Sequence, residues 1–274
     1  MLDPQAIENI LLELGALEVS DCSRENAIRS TCPFHGGNNP SSLRVSLTDG
    51  SYYCFACGAM GRLDSDDVVA KEEIYQAIEK DDLSEMCEAI LDEFRLDYSN
   101  ECLRIQNREL LSKHQVGVVT NGENVGKIVF PYRDITGKLH GFKIREKRNF
   151  KMENYLSVAD VFFMENKLIP FGPVILVEGE WDALNLTNLG FYNVMALGGS
   201  NANYRRCCKL RAFTEELWLA LDNDDAGRKG EEEIARKLSG DVDVYSIPYS
   251  GEDPGVLTHN APFWDAIKNK KRYV

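Results

Sequence analysis

The sequence has 274 residues, 43% of them hydrophobic and 27% charged, with a formal net charge of −13. That length fits two domains or one large one, and the balance is that of an ordinary globular protein. No run of about eighteen apolar residues reads as a membrane span, and the N-terminus shows no secretory signal, so a cytoplasmic protein is expected.

The acidic total argues against a nucleic-acid partner, but the charge is unevenly spread. Residues 62–97 hold thirteen Asp and Glu against four Lys and Arg. Residues 138–151 reverse this, with Lys138, Lys143, Arg145, Lys147, Arg148 and Lys151 facing the single acid Glu146.

Residues 4–17 are expected to form a helix. Asp3 can cap it, Pro4 lies in its first turn, and Ile7, Ile10, Leu11 and Leu14 recur at helical spacing. Residues 30–61 are rich in Cys, Gly, Asn and Ser and contain a hairpin: Leu43, Val45 and Leu47 alternate with polar residues before a Thr48-Asp49-Gly50 turn and Ser51-Tyr52-Tyr53. This stretch carries too little apolar mass for a core of its own. Residues 66–97 read as two acidic amphipathic helices, one striped by Ile74, Ala77 and Ile78, the other by Met86, Ile90, Leu91 and Phe94. A second hairpin is expected where Ile128–Tyr132 and Leu139–Ile144 flank an Asp134-Ile135-Thr136-Gly137 turn. From residue 173 strands at 174–177, 193–197, 217–221 and 242–246 alternate with helices near 181–189, 201–213 and 225–238. Such alternation predicts a parallel sheet covered on both faces.

Four residues in the small N-terminal stretch have metal-ligand spacing. Cys32 and His35 form one pair and Cys54 and Cys57 another, each with two residues between partners and eighteen residues between pairs. Three thiolates and one imidazole complete a tetrahedral zinc site with no open position, so one structural Zn²⁺ is expected. Bound zinc is worth about 10–16 kcal/mol in such modules and stands in for the missing core. Cys22, Cys87, Cys102, Cys207 and Cys208 lack matching partners and read as thiols.

Acids close two of the apolar strands. Glu178 follows Val174–Val177 and opens the run Glu178-Gly179-Glu180-Trp181-Asp182, while Asp222-Asn223-Asp224 follows Leu217–Leu221. Active groups of open α/β sheets collect beyond the carboxyl ends of the strands. Carboxylates at two such ends suit Mg²⁺, a hard cation that takes oxygen ligands, and point to phosphoryl chemistry. Asp222 and Asp224 project alike if the strand continues, and Asp225 is a candidate helix cap. Lys143 and Arg145 share one face of a strand that can meet phosphates, with Arg133 and Lys127 as further candidates. In the zinc module Arg44 can contact a single-stranded nucleic acid and Tyr52 can stack on a base, or both can be plain surface and packing. The turn Gly198-Gly199-Ser200-Asn201 can accept a phosphate at a helix N-terminus or be a tight turn without a ligand.

Several of these stretches resemble one family. Cys32-Pro33-Phe34-His35, Pro40–Val45 and Tyr53–Gly58 resemble the zinc-binding domain of DnaG-type DNA primases. Ile128–Asp134 with Gly137, Gly141 and Phe142 resembles that family's basic polymerase subdomain, and Asn154–Ser157 its Tyr-Leu motif. Val177–Leu184 and Leu221–Gly227 resemble the two signature motifs of the Toprim fold. The likeness runs in the family's order over most of residues 1–255.

The resemblance implies an α/β protein: a Rossmann-like parallel Toprim sheet, a mixed α+β basic subdomain and a small zinc ribbon. The expected units are a zinc domain at 1–65, an acidic helical linker at 66–100, a basic subdomain at 101–172 and the Toprim subdomain at 173–274. It implies Mg²⁺ on Glu178, Asp222 and Asp224, with Asp182 and Asp253 contributing and Mn²⁺ as a substitute. The basic hairpin would carry template, primer or incoming nucleotide. Implied partners are single-stranded DNA, ribonucleoside triphosphates and a separate replicative helicase. In one respect this chain departs from the family, since Asp253-Pro254-Gly255 stands where the family shows Asp-Pro-Asp. The length leaves no room for a helicase-interaction domain or a fused helicase, as expected of a compact phage- or plasmid-like primase. The other classes compatible with the motifs are a Toprim nuclease and a catalytically impaired relative that binds single-stranded DNA.

Overall fold

Three five-stranded sheets follow one another along the chain. The computed structural model describes residues 2–22, 26–33, 38–56, 59–63, 84–146, 152–155, 158–199 and 202–273. The first acidic helix, with Ile74, Ala77 and Ile78, lies outside the described residues, as do His35, Cys57, Lys147, Arg148, Lys151, Leu156, Ser157, Ser200 and Asn201. Among the described residues no helix is long and apolar enough to cross a membrane.

The first sheet is an antiparallel meander of β1 (Val19–Cys22), β2 (Ala27–Ser30), β3 (Leu43–Ser46), β4 (Ser51–Cys54) and β5 (Met60–Arg62). Helix α1 (Pro4–Glu13) precedes it, capped by Asp3, which accepts from the Gln5 amide at 3.1 Å. The helix is shorter than its apolar spacing suggests because Gly15 turns left-handed at φ 101°. Ile7 and Leu11 of α1 pack with Ile28, Leu43, Val45, Leu47, Tyr52 and Leu63. The helix thus supplies apolar mass that residues 30–61 lack by themselves.

Strand alternation sends Arg29, Arg44, Ser46 and Tyr53 to the opposite face of this sheet. That face is not solvated. It docks on the third unit, where Tyr53 meets Phe213 edge-on at 5.1 Å and the Arg29 guanidinium lies 3.7 Å over the Phe171 ring. Ser46 Oγ donates to Asp241 at 2.8 Å, and Arg211 bridges Asp49 and Asp241 at 2.9 Å each.

The second sheet is antiparallel in the order β10-β9-β8-β7-β6. Its strands are β6 (Leu96–Asp97), β7 (Gly117–Val119), β8 (Ile128–Arg133), β9 (Leu139–Arg145) and β10 (Met152–Tyr155). The expected hairpin is β8–β9. A helix described over 84–93 (α2) covers one face, burying Cys87 and Leu91 against Val129, Phe142 and Ile144. Helix α3 (Arg108–Lys113) precedes β7. The other face sends Phe130 and Tyr132 into a core shared with the third unit.

The third sheet has the order β12-β11-β13-β14-β15. Strands β11 (Val174–Val177), β12 (Val194–Ala196), β13 (Glu216–Ala220) and β14 (Asp243–Ser246) run parallel, and β15 (Lys271–Arg272) closes the edge antiparallel. Helices α4 (Glu180–Asn188), α5 (Tyr204–Phe213) and α6 (Asp225–Leu238) connect the parallel strands, and α7 (Ala261–Lys268) precedes β15. Two core clusters sandwich the sheet, one holding Ile175, Val177, Trp181 and Leu184, the other Leu176, Leu210, Leu219 and Ile234.

The Arg211 bridge is nearly dry, with side-chain exposures of 10% for Arg211 and 1% for Asp241. Losing one partner of a buried pair typically costs about 3–5 kcal/mol because the other charge is stranded. Arg211→Ala is therefore expected to lower stability to urea by about 3 kcal/mol, whereas an unchanged midpoint would show that the docked face contributes little.

Candidate active site

Parallel pairing brings the carboxyl ends of β11, β12 and β13 to one edge. Glu178 follows β11 directly, and Asp222 lies two residues past β13. Asp182 sits in the first turn of α4, and Asp253 opens the short turn Pro254–Val256. Cross-ties hold these loops together. The Asn223 amide donates to the Glu252 carbonyl at 2.8 Å, and Tyr249 OH donates to the Leu221 carbonyl at 2.7 Å. Asn185 Nδ2 donates to the carbonyls of Pro254 and Leu257, both at 2.9 Å, tying α4 to the Asp253 turn.

The acids are close enough to perturb one another. Burial raises the pKa of Glu178, and the charges of Asp222 and Asp224 add to the effect. Asp222 is likewise raised by burial, then by Asp253 and Asp224. Asp182 is pushed up to about 7 by burial and by Asp253, against the opposing hydrogen bond from the Gly179 amide at 2.9 Å. A crowd of carboxylates with raised pKa values is an electrostatic vacancy for cations. Oδ1 of Asp222 and Oδ1 of Asp253 are buried and accept no hydrogen bond among the described residues. Buried oxygens of this kind are costly unless something binds them, and oxygen-rich ligation is what Mg²⁺ requires. The residues therefore fit the cation. Among the described residues no three His, Cys, Asp or Glu side chains enclose an ion by themselves. Mg²⁺ ordinarily keeps waters and substrate phosphates in its shell, so a loose acid set suffices.

Asp224 differs from the sequence expectation. The strand ends at Ala220, so Asp222 and Asp224 do not project as alternate strand residues. Asp224 is itself the cap of α6, accepting from the Gly227 amide at 2.7 Å, and Asp225 is the first helical residue. Asp224 remains exposed and still acts on Glu178 and Asp222 through its charge. Gly255 also acquires a physical reason. A Cβ there would lie 2.6 Å from Asp182 Oδ1 and 3.0 Å from Asp253 Oδ1, so these two acids occupy the space of a side chain at 255.

An open cleft of about 360 Å³ is lined by Lys143, Glu178, Glu180, Asp182, Gly198 and Asp222. Lys143 is buried in it, 3.0 Å from Glu180 and bonded to the Gly198 carbonyl. Arg145 is half-buried nearby, its pKa lowered by burial and by the like charge of Arg104. Arg104 also reaches Asp182 electrostatically. Nothing in the sequence pattern singles out Arg104, which lies in a loop before α3.

The remaining basic candidates are placed elsewhere. Arg133 pairs with Glu88 of α2 and donates to Gln115 at 2.8 Å, so it braces the helix against the sheet rather than facing open solvent. Lys127 is half-buried just before β8. Arg44 is 2% exposed and belongs to the docked face, and Tyr52 is 4% exposed in the core beneath α1. Neither is on an open template-binding surface, because both faces of the ribbon are covered.

Cys32 and Cys54 are buried in one apolar cluster, and Cys54 Sγ accepts from the Ala56 amide at 3.4 Å. An amide–sulfur bond of this kind stabilises a thiolate ligand. The other half of the expected zinc set, His35 and Cys57, lies outside the described residues.

Two family models match the chain: a CHC2 zinc finger over residues 18–102 and a Toprim-like domain over 175–256. The DNA primase of Aquifex aeolicus is 26% identical over 82% of this chain and 59% of that protein. The chain is similar to DnaG-type primases. The DNA helicase/primase of Enterobacteria phage T3 is 33% identical over 50% of this chain and 27% of that protein. The crystal structure of the zinc-binding and RNA polymerase domains of Aquifex aeolicus primase has the same fold, with a TM-score of 0.59 at 21% identity over 98% of this chain and 84% of that one. The zinc-finger match takes in Cys32, His35, Cys54 and Cys57, and the Toprim match takes in all five acids. The chain spans little more than half of the Aquifex protein.

The acid cluster carries a pH signature. Asp182 holds its proton to about 7 when folded, against 3.8 as its ordinary value. The native state binds the extra proton between those limits, so this group's contribution to stability is full below about pH 4 and is lost as pH rises through about 7. In zinc-replete buffer without magnesium, urea unfolding should show that decline, and Asp182→Asn should flatten it. An unaltered slope in the variant would place the proton elsewhere.

Proposed function

We propose that this chain is a DNA primase that joins ribonucleotides into short RNA primers on single-stranded DNA during replication. The observation that carries the reading is the crowd of five carboxylates at one sheet edge, with unsatisfied buried oxygens on Asp222 and Asp253. Glu178, Asp182, Asp222, Asp224 and Asp253 would hold Mg²⁺, for which Mn²⁺ can substitute. When bound, the cation lowers the pKa of the attacking 3′-hydroxyl and neutralises charge on the triphosphate.

The chain's own residues account for the rest. Glu178 lines the cleft at the end of β11, where it would either hold the cation or assist removal of the proton from the hydroxyl. Arg104 and Arg145 form a cationic rim that can hold phosphates, and Lys143 adds a donor inside the cleft. One structural Zn²⁺ on Cys32, His35, Cys54 and Cys57 would hold the ribbon together. The T3 relative bears both the helicase and the primase name, which supports a replicative helicase as partner. The setting would be the cytoplasm of a bacterial or phage-infected cell.

The decisive assay combines the protein, single-stranded DNA, ribonucleotides and Mg²⁺, with products resolved on a gel. Wild-type protein should yield oligoribonucleotides. Asp222→Ala and Glu178→Ala should each lower the yield by about a hundredfold or more, beyond the effect of losing an outer-shell partner of a metal. Shortened template without new RNA would instead make the chain a nuclease, and tight DNA binding with neither product a binding protein. Elemental analysis should find about one zinc per folded chain. A folded, zinc-free protein would contradict the ribbon assignment.

A further inference from the structure

Glu180 stands apart from the other acids of the cleft. Its Oε1 already accepts two hydrogen bonds, from Tyr132 OH and from Lys143 Nζ at 3.0 Å. Lys143 also donates to the Gly198 carbonyl. All three side chains are buried, at 0% exposure for Tyr132 and 6% each for Lys143 and Glu180. Tyr132 and Lys143 belong to β8 and β9, whereas Glu180 opens α4 and Gly198 follows β12. The constellation therefore bridges the second and third sheets. Gly198 has no room to be anything else: a Cβ there would press on Tyr132 OH and lie 2.6 Å from Lys143 Nζ and 3.1 Å from Glu180 Oε1.

We propose that Glu180 is a positioning residue, not a metal ligand: with Tyr132 it holds the Lys143 ammonium in the cleft for a phosphate of the incoming ribonucleotide. An ammonium has three donors, and two are taken by Glu180 and Gly198, which leaves one for a group in the cavity that Lys143 lines. A lysine stem free to move would lose its rotamer freedom on binding, and the Glu180 pair removes that freedom beforehand. The pair also cancels a negative charge that would otherwise repel the phosphate. The contrast with Asp222 and Asp253 is direct, since their buried oxygens accept nothing among the described residues while Glu180 Oε1 is doubly engaged. This inference rests on the nucleotidyl-transfer reading above.

A double-mutant cycle on Glu180 and Lys143 tests it, with kcat and KM for ribonucleotide, equilibrium dialysis of ATP and Mn²⁺ counting by electron paramagnetic resonance. Glu180→Ala and Lys143→Ala should each raise KM and the ATP Kd by about tenfold, the loss of one charge-assisted hydrogen bond, with a smaller change in kcat. The double variant should be no worse than Lys143→Ala, because Glu180 acts through Lys143. Bound Mn²⁺ should be the same in Glu180→Ala as in wild type. Multiplying losses in the double variant, an unchanged KM in Glu180→Ala, or lost Mn²⁺ would each overturn the inference. Should Glu180→Ala fail to fold, Glu180→Gln and Tyr132→Phe are measured the same way, and an unchanged KM in both would overturn it equally. Wild-type protein that neither binds ATP nor makes primer sinks the underlying reading as well. Wild-type protein that does both, beside an unaffected Glu180 series, sinks this inference alone.

Discussion

Like-charge crowding at the carboxyl edge of one parallel sheet governs this molecule. Burial raises the pKa values of Glu178, Asp182 and Asp222, and the neighbouring charges of Asp222, Asp224 and Asp253 add to the effect. Such an arrangement costs stability and persists only where surrounding structure holds it. Here the hold comes from Tyr249 on Leu221, Asn223 on Glu252 and Asn185 on the Pro254 and Leu257 carbonyls. These neutral hydrogen bonds fix the backbone and leave the carboxylates for a cation. Across the same cleft Glu180 has an opposite task, because its charge is already met by Lys143.

The two ends of the third sheet carry different duties. The acids follow the carboxyl ends of β11 and β13. The zinc ribbon docks at the other end, on Phe171 before β11, Phe213 before β13 and Asp241 before β14. Strands of four or five residues separate the two by roughly 15 Å at about 3.3 Å per residue. Anchoring through Arg211, Asp49 and Asp241 sets the ribbon on the third unit without intruding on the cleft.

Much of this was legible in the sequence. Strands β11 to β14 read clearly because burial on both faces leaves continuous apolar runs, and parallel pairing then forces Glu178 and Asp222 to one edge. The spacing of Cys32, His35, Cys54 and Cys57 pointed to a zinc module by coordination chemistry, and the zinc-finger match covers all four positions. For Arg44 the sequence left contact and packing both open, because alternation shows which residues share a face, but not whether that face meets water or another domain. Arg133 was only a further candidate for phosphate, and its partner Glu88 lies on a different element that the local pattern does not connect to it. Asp222 and Asp224 would project alike only if the strand continued, yet it stops at Ala220 and the helix claims the Asp224 carboxylate as a cap. Arg104, Tyr132 and Glu180 were invisible as site residues because their meaning depends on contacts between distant segments.

The central claim is that the carboxylate cluster exists to hold divalent cations for nucleotidyl transfer. Direct counting of Mn²⁺ bound to the zinc-loaded protein, with and without ribonucleoside triphosphate, tests it most closely. The account predicts Mn²⁺ binding that tightens when nucleotide is present and disappears in Asp222→Ala. Protein that binds no Mn²⁺ under either condition, or an Asp222→Ala variant that binds it as well as wild type, would contradict the account.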